Sequence, residues 1–199
     1  MGTVERTNQA VLDAAIRTWA RDSSASLGAI ASAAGVGRTT LHRLHPDRAA
    51  LVRAVDEELR TRFSKATTRA AIDDVDAMSA LHRLCIEYLD LGDALRLVFA
   101  DGTVVDPSTW DTGAASHQSL TGLFARGQRD GVFDPVLDPE WMVLTMWLML
   151  CGAWMVMTET SVPRADAANL LMRTLAGAVA RKPDDFGLPT PIRHAPSER

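Results

Sequence analysis

The chain has 199 residues, 47% apolar and 23% charged, a balance that fits a soluble globular protein and excludes wholesale disorder. A net charge of −4 excludes a histone-like coat for nucleic acid, yet it is unevenly spread: residues 1–50 carry six arginines against four acidic residues, and the remainder stands at −6. Two isolated cysteines, Cys85 and Cys151, exclude a disulfide scaffold and a structural zinc site.

The start, MGTVERTNQAVLDAA, lacks the basic residues and apolar run of a signal peptide. It also has Arg6 where myristoylation needs Ser or Thr, so a reducing cytoplasm is the expected setting. From Thr3 to about Arg21, Val11, Leu12, Ala15, Ile16 and Trp19 recur at helical spacing. DSSAS then breaks the helix, and Ser26 is a suitable N-cap for a short second one with Leu27, Ile30, Ala31 and Ala34 inward. Gly35 stops it, because glycine takes the left-handed conformation at a helix C-terminus without strain. A third short helix follows Val36 and ends at Pro46. Asp47 caps a fourth, striped with Leu51, Val52, Val55, Leu59 and Phe63.

Further on, Leu81, Leu84, Cys85, Tyr88 and Leu89 share an amphipathic face, and DALRLVFA adds a shorter helix. DGTVVDPSTWDTG reads as a loop from its Pro, Gly and Asp content. Residues 114–129 resume a helix through Leu120, Leu123 and Phe124, stopped by Gly131. After FDPVLDPE comes WMVLTMWLMLCGAWMVM, residues 141–157, apolar all round; a last helix runs from about Asp166 to Arg181 with Leu171, Leu175 and Val179 aligned. The final KPDDFGLPTPIRHAPSER is proline-rich and polar, a tail. No strand alternation and no repeat occur, so the predicted fold class is all-α.

The chemistry concentrates in SLGAIASAAGVGRTTLHRL. Ala31 and Ala34 let two helices cross closely, Gly35 allows a sharp turn, and Val36 and Leu41 fill the wedge between them. Arg38, Thr39 and Arg43 then point outward: donors suited to guanine edges and phosphates, on an element narrow enough for a DNA major groove.

The stretch IASAAGVGRTTLHRLHPDRAAL resembles the helix-turn-helix of TetR-type (tetracycline-repressor-like) transcriptional regulators, in which the pattern IA..AGV...TLY.HF..K..L recurs. The likeness covers about residues 6–63; beyond it only the architecture is similar. The resemblance implies a homodimer that binds double-stranded operator DNA through its third helix and is released by a small molecule entering the C-terminal domain. It implies that Arg38, Thr39 and Arg43 face base edges and that Thr40 meets backbone or a thymine methyl. His42 stands where the family has a phosphate-contacting tyrosine, and Arg48 where it has a lysine at the start of helix four, a place for a phosphate. His45 replaces a buried phenylalanine. Leu27 and Gly28 stand where many members carry a hydroxyl or a base-reading side chain, which implies a reduced contact set.

Other chemistries are conceivable at several clusters. His42, His45 and Asp47 are too few for a metal site with its supporting residues, so no metal and no cofactor are expected. His82 and Cys85 share a helix face as a nucleophile and base would, but lack an orienting third group, so no catalytic residue is assigned and the chain is not expected to be an enzyme. Residues 141–157 approach the length of a membrane span. Asp138, Glu140 and Glu159 flank them without a basic cluster, and the expectation is instead one face on the chain's own core and another on a second subunit. Met142, Met146, Trp147 and Cys151, with Tyr88, Phe99, Trp110, His117 and Phe124 as further walls, are candidates for a pocket taking an apolar or cationic aromatic ligand.

The expected organisation is thus a helix-turn-helix DNA-binding domain over 1–47, a helical ligand-binding and dimerisation domain over 48–182, and a tail over 183–199. The function expected is a homodimeric, cytoplasmic transcriptional regulator of the repressor kind, paired through its last two helices. The alternative is a helical small-molecule-binding protein or enzyme that does not touch DNA.

Overall fold

The computed structural model describes residues 2–99 and 115–181; Trp110 and the 183–199 tail lie outside them. Nine helices occur among the described residues: α1 (Thr3–Trp19), α2 (Leu27–Ala33), α3 (Arg38–Leu44), α4 (Arg48–Ala70), α5 (Ala77–Leu89), α6 (Asp93–Val98), α7 (Ala115–Arg129), α8 (Pro139–Glu159) and α9 (Arg164–Val179). The only β pairing among the described residues is an isolated antiparallel bridge, Phe133 to Ala180. The all-α expectation is met. Packing divides the chain into two compact units, Met1–Ala66 with Tyr88–Asp111, and Thr67–Glu87 with Thr112–Arg199.

In the first unit α1 packs on α2 and α6, and α2 on α3. The α1 stripe supplies Val11, Leu12, Ile16 and Trp19 to a core completed by Ile30, Leu41, Leu51, Val55 and Leu59. Asp47 accepts from the Ala50 amide at 2.7 Å and so caps α4, as its position ahead of the apolar stripe suggests. A polar seam also ties α1 to α4. Gln9 Nε2 donates to Glu58 at 2.9 Å and Asp13 at 3.2 Å, and Arg62 spans the same two carboxylates.

In the second unit α8 packs against α7 and α9. Asp138 caps α8 through the Glu140 amide at 2.8 Å and Pro139 opens its first turn, so the helix starts ahead of Trp141. By length and composition α8 meets the measure of a membrane-crossing helix, with mean hydropathy 1.6, but only 28% of that apolar window is buried in the chain. Met142, Val143, Met146 and Leu150 face inward, whereas Trp141, Leu144, Leu148 and Met155 are exposed. Gly127 on α7 permits the closest approach in this core. A Cβ there would lie 2.1 Å from Phe133 Cδ2 and 2.9 Å from Ala77 Cβ.

Candidate DNA-binding interface

The α2–α3 unit is built locally. Ser26 Oγ accepts from the Ala29 amide at 3.2 Å and opens α2. At the other end Gly35 takes φ +67°, its amide reaches the Ser32 carbonyl at 3.1 Å, and the Val36 amide reaches the Ala31 carbonyl at 3.0 Å. These two bonds close a Schellman turn, and the left-handed residue inside it is why a glycine stands there. Gly37 then caps α3 in extended conformation. Leu41 drives inward to 1% exposure. The opposite side of the same helix leaves Arg38, Thr39, His42 and Arg43 exposed, with Thr40 half-buried. Four of the six residues expected to touch DNA therefore share one solvent face.

Arg48, the sixth, lies at the start of α4. Its guanidinium lies 4.7 Å from the Trp19 ring centre and donates to the Ala25 carbonyl at 2.8 Å and to that of Ser23. Trp19 Nε1 donates to the same Ala25 carbonyl at 3.1 Å. Arg48 is thus half-buried as a clamp on the α1–α2 turn. Within that turn Asp22 Oδ1 accepts from the Ser24 hydroxyl and amide, and these bonds hold its carboxyl below the ordinary range.

The two histidines part company. His45 is 7% exposed, its Nε2 lies 2.9 Å from Asn8 Oδ1 on α1, and burial pushes its pKa down. An amide oxygen only accepts, so the neutral ring carries its proton on Nε2. His42 remains exposed and sets Nδ1 3.1 Å from the Pro46 carbonyl. That carbonyl too can only accept, so Nδ1 carries the proton and Nε2 of the neutral ring is a bare acceptor. Each ring is oriented by a separate partner. Among the described residues no group of three or more His, Cys, Asp or Glu is placed to hold a metal.

A cleft of about 270 Å³ lies on this unit, lined by Ser26, Leu27, Gly28, Arg38, Leu41 and His42. Gly28, Asn8 and Trp19 all shape the interface, and none shows in the sequence as a functional residue. Their partners are distant side chains and main-chain carbonyls, which leave no spacing to read.

The residues expected to form a ligand pocket fall in both units. In the first, Tyr88 is buried edge-on to Phe63 at 5.2 Å, and Phe99 is half-buried. In the second, Phe124 is buried 5.5 Å from Phe133, and Met142 and Met146 are fully buried. Trp147 and Cys151 are half-buried there, and His117 Nε2 pairs with Glu140 at 2.9 Å. Cys85 is wholly buried, its thiol pushed up to about 12, which leaves no thiolate for nucleophilic work at neutral pH. Burial also raises the Cys151 thiol.

No family model matches the sequence, so comparison rests on individual proteins. The HTH-type transcriptional repressor LfrR of Mycolicibacterium smegmatis is 28% identical over 183 residues, 92% of this chain and 95% of that protein. A crystal structure of the TetR-like regulator LfrR from Mycobacterium smegmatis in complex with proflavine superposes with a TM-score of 0.72 at 29% identity, covering 87% of this chain and 96% of that one. Along nearly its whole length the chain is similar to a TetR-like transcriptional regulator. The HTH-type regulator NfxB of Pseudomonas aeruginosa is 32% identical over 112 residues, 55% of this chain and 60% of NfxB. Both named relatives are regulators of transcription.

Proposed function

We propose that this TetR-like protein is a homodimeric, cytoplasmic repressor that binds double-stranded operator DNA and leaves it when a small apolar or aromatic ligand binds. The observation that carries the proposal is the α3 face, where Arg38, Thr39, His42 and Arg43 stand exposed over a Leu41 buried by the Schellman turn. Arg38, Thr39 and Arg43 read base edges, Thr40 meets backbone or a thymine methyl, and His42 meets a phosphate. Arg48 serves the same surface by holding the turn between α1 and α2.

On this reading 1–47 is the DNA-binding domain, 48–182 binds ligand and a second subunit, and 183–199 is a tail. Exposed Trp141, Leu144, Leu148 and Met155 on α8, with Leu170 on α9, supply an apolar face for pairing two copies through the last two helices. The same face gives α8 an occupant other than lipid. Two subunits place two copies of α3 at a fixed spacing, and ligand acts by favouring another spacing. No cofactor or metal enters this scheme. Met142, Met146, Trp147, Cys151, Phe124 and His117, with Tyr88, Phe99 and Trp110, are the candidate ligand contacts. LfrR binds proflavine, and a flat cationic aromatic suits such side chains.

The deciding experiment is a mobility shift with the duplex upstream of the protein's own gene, with and without proflavine. Wild type should give one specific complex, Arg43→Ala should abolish it, and Arg38→Ala should lose specific but keep non-specific binding. Equal affinity for a random duplex sinks the DNA-reading role, and a complex indifferent to proflavine sinks that ligand class.

A further inference from the structure

Two positions at the mouth of the α2–α3 cleft fit each other. Gly28 sits in the first turn of α2, and Arg38 is the first residue of α3. The Arg38 side chain folds back across Gly28. A Cβ on that glycine would lie 3.2 Å from Nη2, 3.3 Å from Nε and 3.4 Å from Cζ. These three guanidinium atoms press on one spot: the two nitrogens are closer than an ordinary contact to carbon, and Cζ is at its near edge. The backbone does not require glycine here: Gly28 lies in a regular helix and is not among the positive-φ glycines. What the missing side chain supplies is room.

We propose that Gly28 is a specificity-determining residue: it is the berth in which the Arg38 guanidinium lies flat on α2, which fixes where that guanidinium meets the operator. The proposal rests on the DNA-reading role given to α3 above. A planar fork discriminates bases only when held in register with one base pair. Arg38 is exposed, and α3 itself offers only a seven-residue platform. The neighbouring helix holds the fork because it has no side chain at 28. Position 28 has no base-reading group of its own; its space has passed to the arginine of the next helix. A side chain at 28 pushes the fork out of the cleft and blurs the preference at the base pair Arg38 reads.

The test is selection from a duplex pool with a randomised core, run in parallel on the full-length wild type, Arg38→Ala, Gly28→Ala, Gly28→Leu and the Gly28→Leu/Arg38→Ala double variant. Arg38→Ala identifies the base pair in question, as the one whose preference it relaxes. At that pair Gly28→Leu should cut discrimination by about fivefold or more, the lower bound for one bidentate base contact. Gly28→Ala should act in the same direction, and the double variant should look like Arg38→Ala alone. Thermal melts separate this from misfolding, since alanine is the better helix former and should leave the melting temperature unchanged or higher. A wild type that enriches no sequence overturns the DNA-reading role and this inference together. A wild type that enriches a motif, while both Gly28 variants keep its preference at the Arg38 base pair, overturns the berth alone.

Discussion

The guanidinium of Arg48 lies 4.7 Å from the centre of the Trp19 ring, and both side chains donate to the Ala25 carbonyl. A surface-looking charge at the start of α4 is therefore part of the fold of the α1–α2 turn. Arg48→Ala removes the stack and two donors, and should destabilise the protein by about 1–3 kcal/mol. Lysine cannot reproduce a planar fork over a ring, so Arg48→Lys should recover little. Chemical denaturation gives the stability. The salt dependence of DNA binding gives the role: a variant that folds but loses about one unit of slope would make Arg48 a phosphate contact after all.

His42 sets Nδ1 3.1 Å from the Pro46 carbonyl and stays exposed on α3. As the proposed phosphate contact it should act without regard to sequence, so His42→Ala should weaken operator and random duplex alike, by about tenfold, the worth of one hydrogen bond to a charged group. Unchanged affinity for both duplexes in a mobility shift would remove His42 from the contact set.

His45 makes stability depend on pH. Burial lowers its pKa from 6.5, so below that value the unfolded chain binds more protons than the folded one. Its stabilising contribution is complete above about pH 6.5 and is lost as pH falls beneath it. Denaturation curves at pH 7.5 and 5.5 should show that loss in wild type and a smaller one in His45→Phe. An unchanged pH slope in that variant would clear His45 of the effect.

Gly127 is a steric requirement. With a Cβ placed 2.1 Å from Phe133 Cδ2, Gly127→Ala should cost about 2–3 kcal/mol despite alanine's better helix propensity. Phe133→Leu in the same chain should return part of it. A Gly127→Ala protein as stable as wild type would mean that α7 and the Phe133 ring separate freely.

Leu148 is 57% exposed on α8. Leu148→Glu should leave the fold intact, because the side chain is not in the core, but convert a dimer to monomer in sedimentation. A variant that still sediments as the wild type does would remove this face from the subunit contact.

Local features are legible in the sequence and distant ones are not. Ser26, Gly35 and Asp47 announce helix ends because each acts within a few residues of itself. Leu41 is legible as core from its place in a seven-residue helix. His45 shows from sequence that it needs a partner, but the choice of Asn8 depends on how α1 crosses the end of α3. The clamp made by Arg48 does not show in the sequence because its acceptors, the carbonyls of Ser23 and Ala25, belong to no residue type. Gly28 looks like a position with no part in reading DNA, since only packing brings Arg38 across it. The start of α8 at Pro139 is signalled by Asp138 and the proline, yet the apolar run after them draws the eye first.

The link between α2 and α3 is also a phase setting. With Gly35 left-handed and Val36 tied back to Ala31, no slack remains to absorb a change in its length. One inserted residue would turn α3 by about 100° about its own axis, rolling Leu41 out of the wedge and carrying the arginines off the exposed side. The contents of this link have some freedom to vary; its residue count has almost none.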